Sequence, residues 1–307
     1  MNNPTVCELQ IKRIVERLAS APRNSAQNPD QHAAVSRWII SEFYQIGLDV
    51  THQVFNIPGH QPERTGMNII GTLKNSAKSS ITKPIIIGAH YDTVPGSPGA
   101  DDNASGIAAL LECARVLQKS NIDKKVTFVA FDAEEIQPGA GALHGSSHFV
   151  SSLPTKNLPS SAIIFESIGF SSKTIKQRLP GLFRFLFPHA YRTLKKQAFA
   201  ANSLLLLSRG KGRELSNHLE RVAAQPEIFL PVLPLRIPIW MPTLKNFRRS
   251  DHAPFWAADV PAVMISDTAN FRNPHYHRAT DTPETLDLLL IKKAAQMVID
   301  TITSDLI

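Results

Sequence analysis

Imidazole and carboxylate side chains recur in this sequence in short clusters that follow apolar runs: His90 and Asp92, then Asp101 and Asp102, Glu134 with Glu135, Glu166, and His275 with His277. A neutral histidine and an ionised aspartate are ordinary zinc ligands, and a carboxylate two residues from a ligand histidine is suited to accepting its other ring N–H. His90 and Asp102 therefore read as ligands, with Asp92 supporting His90. In an extended chain neighbouring side chains point to opposite sides, so one of two adjacent glutamates can bind metal while the other faces the substrate. A zinc ion lowers the pKa of its water to about 7, which makes a nearby carboxylate a useful proton acceptor and later donor. On this reading Glu135 is a ligand and Glu134 a general base. Glu166 interrupts the apolar run AIIFESIG, where a lone carboxylate is costly to bury without a cation. Each cluster alone also has a plain reading as solvated loop residues, or, for Asp102 and Asn103, as a helix N-cap.

The elements around these residues give them a common place. The β-branched run 85–87 reads as a strand buried on both faces of a mostly parallel sheet. Pro95, Gly96, Pro98 and Gly99 mark the loop that follows, and Ile107, Leu110, Leu111, Ala114 and Leu117 then keep helical spacing. The same sequence of apolar strand and acidic end repeats at 126–131 and at 162–169, and a last strand at 260–265, after a short helix begun at 249–252, is followed by His275 and His277. Polar side chains thus gather at the carboxyl ends of strands, where open α/β sheets hold their ligands. Ahead of them lie an amphipathic first helix, a second one running from Asn28-Pro29-Asp30 to Gly47, and strands at 48–57 and 67–73. An amphipathic helix at 284–302, started by Thr282-Pro283, closes the chain. The fold class expected is α/β, with a mixed, mostly parallel central sheet and helices on both faces.

The 307 residues, 43% of them hydrophobic, suit one large α/β domain over 1–307. The best apolar stretch, 204–207, is far short of the roughly 20 residues of a membrane span, so no integral membrane segment is expected. Cys7 and Cys113 sit at apolar helical positions and read as buried free thiols, which favours the cytoplasm. The net charge of +7 is uneven: residues 171–250 carry 15 Lys and Arg against Glu214, Glu220 and Glu227, which is +12 and leaves the rest at −5. Such a segment suggests an acidic partner, an acidic substrate or an anionic surface more than a nucleic-acid reader. Within it GLFRFLFPHAYRTLKK mixes aromatic with basic residues, and buried packing is the expectation over a membrane-surface role.

Four ordered segments, GAHYDTV, GADDNASG, FDAEE and NPHYHRATDT with its prelude SDHAPFW, make the chain resemble the co-catalytic two-zinc aminopeptidases, a zinc-exopeptidase fold shared with glutamate carboxypeptidase II and glutaminyl cyclase. The resemblance implies that His90 and Glu166 hold one zinc, that Glu135 and His277 hold the other, and that Asp102 bridges both. It singles out Asp102 over Asp101 and His277 over His275 or His252. It makes Glu134 the base, Asp92 the support of His90, and Tyr276 a group that helps polarise the substrate carbonyl. The implied activity is hydrolysis of N-terminal residues from peptides with a free N-terminus. Where the family usually carries Asp, this chain has Glu166, whose extra methylene moves the carboxylate relative to the metals. Segment 171–250 departs most from the pattern and is read as a variable lid or contact region. Two rival readings share the fold: an acyltransferase of the glutaminyl cyclase kind, and a non-catalytic binding module such as the transferrin receptor ectodomain. The Tyr before His277, where cyclases tend to carry Trp, favours hydrolysis, and competent side chains at every ligand position disfavour the binding module.

Overall fold

A computed structural model of the chain describes residues 5–58, 64–74, 83–120, 122–135, 141–241 and 245–304. Helices α1 (Glu8–Leu18) and α2 (Pro29–Ile46) come first, and α2 ends at Gly47, whose φ of 96° gives the left-handed C-cap that glycine adopts without a Cβ penalty. There follow β1 (Asp49–Ile57), β2 (Arg64–Thr72), β3 (Ile85–His90), α3 (Gly106–Leu117), β4 (Val126–Phe131), α4 (His144–Ser152) and β5 (Ser161–Glu166). The second half runs β6 (Ser172–Lys176), α5 (Phe183–Leu186), α6 (Pro188–Lys196), β7 (Ala200–Ala201), β8 (Leu204–Arg209), α7 (Gly212–Ala223), β9 (Val232–Ile237), α8 (His252–Ala257), β10 (Ala262–Ser266) and α9 (Leu288–Thr303).

Among the described residues, eight strands form one sheet in the order β1-β2-β4-β3-β5-β10-β8-β9. Its centre, β4-β3-β5-β10, is parallel throughout, while β1, β2 and the β10–β8 pair run antiparallel. Alternation along the central strands divides the core into two faces. Ile85 and Ile87 pack with Phe128, Phe165 and Ile265 under α1, α2, α3, α7 and α9, whereas Ile86 packs with Val129, Phe131 and Ile164 under α4 and α8. Helices therefore cover both faces, as the all-apolar strand runs require. The basic segment 171–250 divides between two places: β8, α7 and β9 belong to the main sheet and its helical layer, while β6 and β7 form a separate two-stranded sheet, with α5 and α6 between them in the chain.

The closing helix differs from its expectation. Thr282-Pro283 starts only a single turn over Pro283–Thr285, after which the chain extends again through Leu286. Asp287 is the true N-cap: its carboxylate accepts from the Leu290 N–H at 3.1 Å, and its own N–H donates to the Gly169 carbonyl. An Asp that satisfies a first-turn donor outweighs the Pro signal four residues earlier.

Arg23, which no sequence motif marks, is fully buried and holds the loop between β3 and α3. Its guanidinium donates to the carbonyls of Leu18, Tyr91, Pro98 and Gly99 at 2.6–3.0 Å, and its backbone N–H donates to Thr93 Oγ1. Gly99 lies at the same junction with φ +62°, and a Cβ there would meet the Asp102 carbonyl at 2.3 Å. Burial lowers the Arg23 pKa to about 10, against the opposing pull of Asp281, Asp92 and Asp102, so the side chain stays charged at neutral pH. Arg23→Met, which fits the space but leaves four carbonyls unpaired, is expected to cost about 3–5 kcal/mol of unfolding free energy in denaturant titration. A loss within about 0.5 kcal/mol, the range of an ordinary surface change, would contradict this account.

Candidate metal centre

The carboxyl ends of the central parallel strands carry the clustered side chains. His90 is the last residue of β3 and is fully buried. Its Nδ1 lies 3.2 Å from the Asp92 main-chain carbonyl and 3.5 Å from the Asp92 carboxylate. The two oxygens of that carboxylate also accept the N–H groups of Glu134 and Glu135, at 3.0 and 3.2 Å. Asp92 thus ties the end of β3 to the turn after β4. The two glutamates separate for a different reason than strand alternation, because β4 ends at Phe131 and Ala133 turns the chain with φ +53°. Glu135 Oε1 then approaches His277 Nε2 at 3.1 Å, and Glu134 Oε2 lies 3.9 Å from His90 Nε2.

Asp101 and Asp102, equivalent in the sequence pattern, part company in space. The Asp101 carboxylate accepts the Gly169 N–H at 2.7 Å and the Asn273 amide at 2.6 Å, so it is consumed in bracing loops. Asp102 instead presents Oδ1 to His90 Nε2 and Oδ2 to His277 Nε2, both at 3.2 Å. Its peptide bond to Asn103 is cis. Asn103 spans the junction: its amide donates to the Phe165 carbonyl, and its Oδ1 accepts from Gly106 and Ser167. The capping reading for this stretch thus belongs to Asn103, whose Oδ1 takes the first helical N–H of α3.

Glu166 ends β5 with Oε2 3.5 Å from His90 Nε2 and accepts a 2.7 Å hydrogen bond from Ser250 Oγ. The other histidines near the C-terminus are occupied elsewhere: His275 Nδ1 meets Thr280 Oγ1, and His252 Nε2 meets the Phe247 carbonyl. Tyr276 stacks on His277 with ring centroids 3.8 Å apart, and its hydroxyl accepts from Arg249 at 3.0 Å. Two positioning groups escaped the sequence reading. Asp281 accepts the backbone N–H groups of Asp101 and Asp102 at 2.9 and 3.2 Å, and Ser250 fixes Glu166. Both lie within or beside the quoted segments NPHYHRATDT and SDHAPFW, but only the tertiary contacts reveal what they do.

Two triads result, His90–Asp102–Glu166 and Asp102–Glu135–His277, each with one ligand atom per residue within 4.8 Å of the others. Among the described residues, His90 Nε2, both oxygens of Asp102 and His277 Nε2 are buried without a hydrogen-bond partner although they face one another. Imidazole and carboxylate atoms that converge outside hydrogen-bond geometry fit a site for positive charge, and the mixed nitrogen and oxygen set suits zinc. Electrostatics agree. Burial would lower the His277 imidazole, but Asp102 and Glu135 outweigh it and hold it at about 10; burial followed by Asp102 pushes Glu135 up to about 7. Burial would also lower His90, yet Glu134 and Glu166 raise it well above its ordinary value. Divalent cations would take the place of those retained protons.

The sequence profile of peptidase family M28 matches residues 68–206 and 234–302. The chain belongs to that family. The uncharacterised protein YfbL of Escherichia coli is 31% identical over 314 residues, which span 96% of this chain and 86% of that one. Aminopeptidase YwaD of Bacillus subtilis is 45% identical over 104 residues, a match to 33% of this chain and only 21% of YwaD. Among solved structures, BSAP, a zinc aminopeptidase from Bacillus subtilis, superposes with a TM-score of 0.73 at 19% identity, over 98% of this chain and 95% of that one. A Bacteroides thetaiotaomicron glutaminyl cyclase gives 0.69 at 17%, over 99% and 100%. Family membership makes this M28 chain a metallopeptidase, whereas the structural likenesses establish a fold that hydrolases and cyclases share.

Away from the triads, His32 supports the same edge of the sheet: its Nε2 lies 2.8 Å from Asp132 Oδ1, and its ring stacks on Tyr91. Burial would lower this imidazole, but the Asp132 carboxylate outweighs it and the net shift is upward. A pKa raised in the folded state adds stability below the unfolded value of about 6.5, and that stability is lost as pH rises through the folded value. Denaturant titrations are therefore expected to show the wild type gaining on His32→Gln between pH 8 and pH 6. A constant difference across that range would refute the assignment.

Proposed function

We propose that this M28 chain is a two-metal aminopeptidase that removes N-terminal residues from peptides, with His90, Asp102 and Glu166 holding one zinc and Asp102, Glu135 and His277 the other. The observation that carries the reading is the pair of triads sharing Asp102, in which His90 Nε2, His277 Nε2 and both Asp102 oxygens find no hydrogen-bond partner among the described residues. When bound, the metals supply Lewis-acid polarisation of the scissile carbonyl and lower the pKa of the attacking water. Glu134, buried beside His90 and pushed well up by burial and then by Glu166, Glu135 and Asp251, takes the water proton and delivers it to the leaving amine. Asp92 fixes that glutamate through its backbone N–H, and Ser250 holds Glu166. The longer Glu166 still reaches His90, which supports it as a ligand in place of the family's usual Asp. Tyr276, stacked on His277, donates a hydrogen bond from its hydroxyl to the substrate carbonyl, since its oxygen already accepts from Arg249. The free thiols of Cys7 and Cys113 support a cytoplasmic location.

The carboxylate-rich site attracts a free α-ammonium. Unblocked peptides are expected to be cleaved at least about thirtyfold faster than their N-acetylated forms, the equivalent of one charge-assisted interaction of about 2 kcal/mol. The experiment is incubation of zinc-loaded protein with free and N-acetylated peptides, some beginning with Gln, followed by mass. Stepwise loss of N-terminal residues from the free peptides supports the proposal. Equal cleavage of the blocked forms would remove the α-ammonium from it, and loss of ammonia from Gln peptides would identify a cyclase.

A further inference from the structure

From 167 to 213 the chain contains no Asp or Glu, but ten Lys and Arg. Inside this stretch α5 and α6 stand on an outer apolar cluster, with Phe183, Phe187, Ala190 and Leu194 packed against Leu207, Leu233 and Leu235 from β8 and β9. Buried packing, the expectation for GLFRFLFPHAYRTLKK, holds for these side chains alone. Leu182 and Phe185 are each 65% exposed and Leu186 is 36% exposed. Spaced i, i+3 and i+4, they share one side of the helical turn, opposite the anchors Phe183 and Phe187. The Arg184 guanidinium lies 4.5 Å over the Phe185 ring, and Arg192, Lys195 and Lys196 are exposed along α6. Among the described residues, none of these four cations takes part in an ion pair.

We propose that this face docks on an anionic lipid surface, with Leu182, Phe185 and Leu186 at the boundary between headgroups and acyl chains and Arg184, Arg192, Lys195 and Lys196 among the phosphates. Each half of the face excludes a simpler occupant. A purely anionic partner leaves the three apolar side chains in water, and a purely apolar one strips water from unpaired cations. A second copy of the chain brings the same positive face against itself. An anionic bilayer satisfies both halves, which is the arrangement of interfacial amphipathic segments.

The test is co-sedimentation of the full chain with vesicles of phosphatidylcholine alone and with about a third phosphatidylglycerol. Binding is expected to the anionic vesicles only and to weaken in high salt, as an electrostatic component requires. The variants Leu182→Ser/Phe185→Ser and, separately, Arg192→Glu/Lys195→Glu/Lys196→Glu are each expected to lower the apparent partition at least about tenfold. Because all five positions are exposed, thermal melts and hydrolysis of soluble peptides should stay as in the wild type. No binding to anionic vesicles, or binding indifferent to the Leu182 and Phe185 changes, overturns the proposal. Light scattering that shows a dimer lost in the Leu182/Phe185 variant also overturns it, in favour of self-association, and equal capture by heparin with no need of the apolar residues does so in favour of a polyanion.

Discussion

Glu134→Gln is expected to lower kcat for peptide hydrolysis by about 10²–10⁴-fold, the range for a positioned general base, with little change in KM. The substitution keeps the shape of the side chain and the backbone N–H that donates to Asp92, so the turn after β4 should hold. It removes only the capacity to take and return a proton. Glu134 lies farther from His90 than Asp102 or Glu166 does, 3.9 Å against 3.2 and 3.5 Å, and it belongs to neither triad. Metal content by mass spectrometry should accordingly match the wild type. Loss of a metal together with activity would make Glu134 a ligand rather than the base, and retention of activity within about threefold would remove it from the proton path.

Asp102→Ala is expected to abolish binding of both metals, where His277→Ala should lose only one. The difference follows from geometry: Asp102 is the single residue common to the two triads, with one oxygen turned to each histidine. In the wild type, metal analysis should give two ions per chain, and chelation should lower the melting temperature. Each ion present at a thousandfold its dissociation constant contributes about 4 kcal/mol to the folded state. In Asp102→Ala the chelator should have no further effect on the melt. Asp102→Asn separates charge from shape, since an amide keeps the side chain's fit in the loop but is a poor partner for a cation. Two tightly held ions in Asp102→Ala would sink the shared-ligand proposal.

The architecture was largely legible because it rests on short-range patterns. Runs such as IIIGAH and VTFVAF have no polar side to show solvent, so they belong inside a covered parallel sheet, and the strands found there end at His90 and Phe131. The closing helix starts later than Pro283 suggests because Pro283 is a local signal, whereas the position of the Asp287 cap is fixed by its N–H reaching Gly169 across the fold, which leaves its carboxylate to take the Leu290 N–H. GLFRFLFPHAYRTLKK was only half legible for a similar reason: its spacing gives two faces, but the sheet alone determines which of them finds something to cover.

Residue types and order by themselves determined that imidazoles and carboxylates would arrive at the carboxyl edge of a parallel sheet, since each follows an apolar strand. Tertiary structure decided which of them meet. Asp101 and Asp102 are chemically identical neighbours, yet one is spent on Gly169 and Asn273 while the other faces two histidines, because Asp281, 180 and 179 residues away, grips both backbone N–H groups. Arg23, Asp281 and Ser250 act through hydrogen bonds to groups distant in sequence, most of them on the main chain. Such partners leave no periodicity and no spacing to read, and exist only once the chain has closed around them.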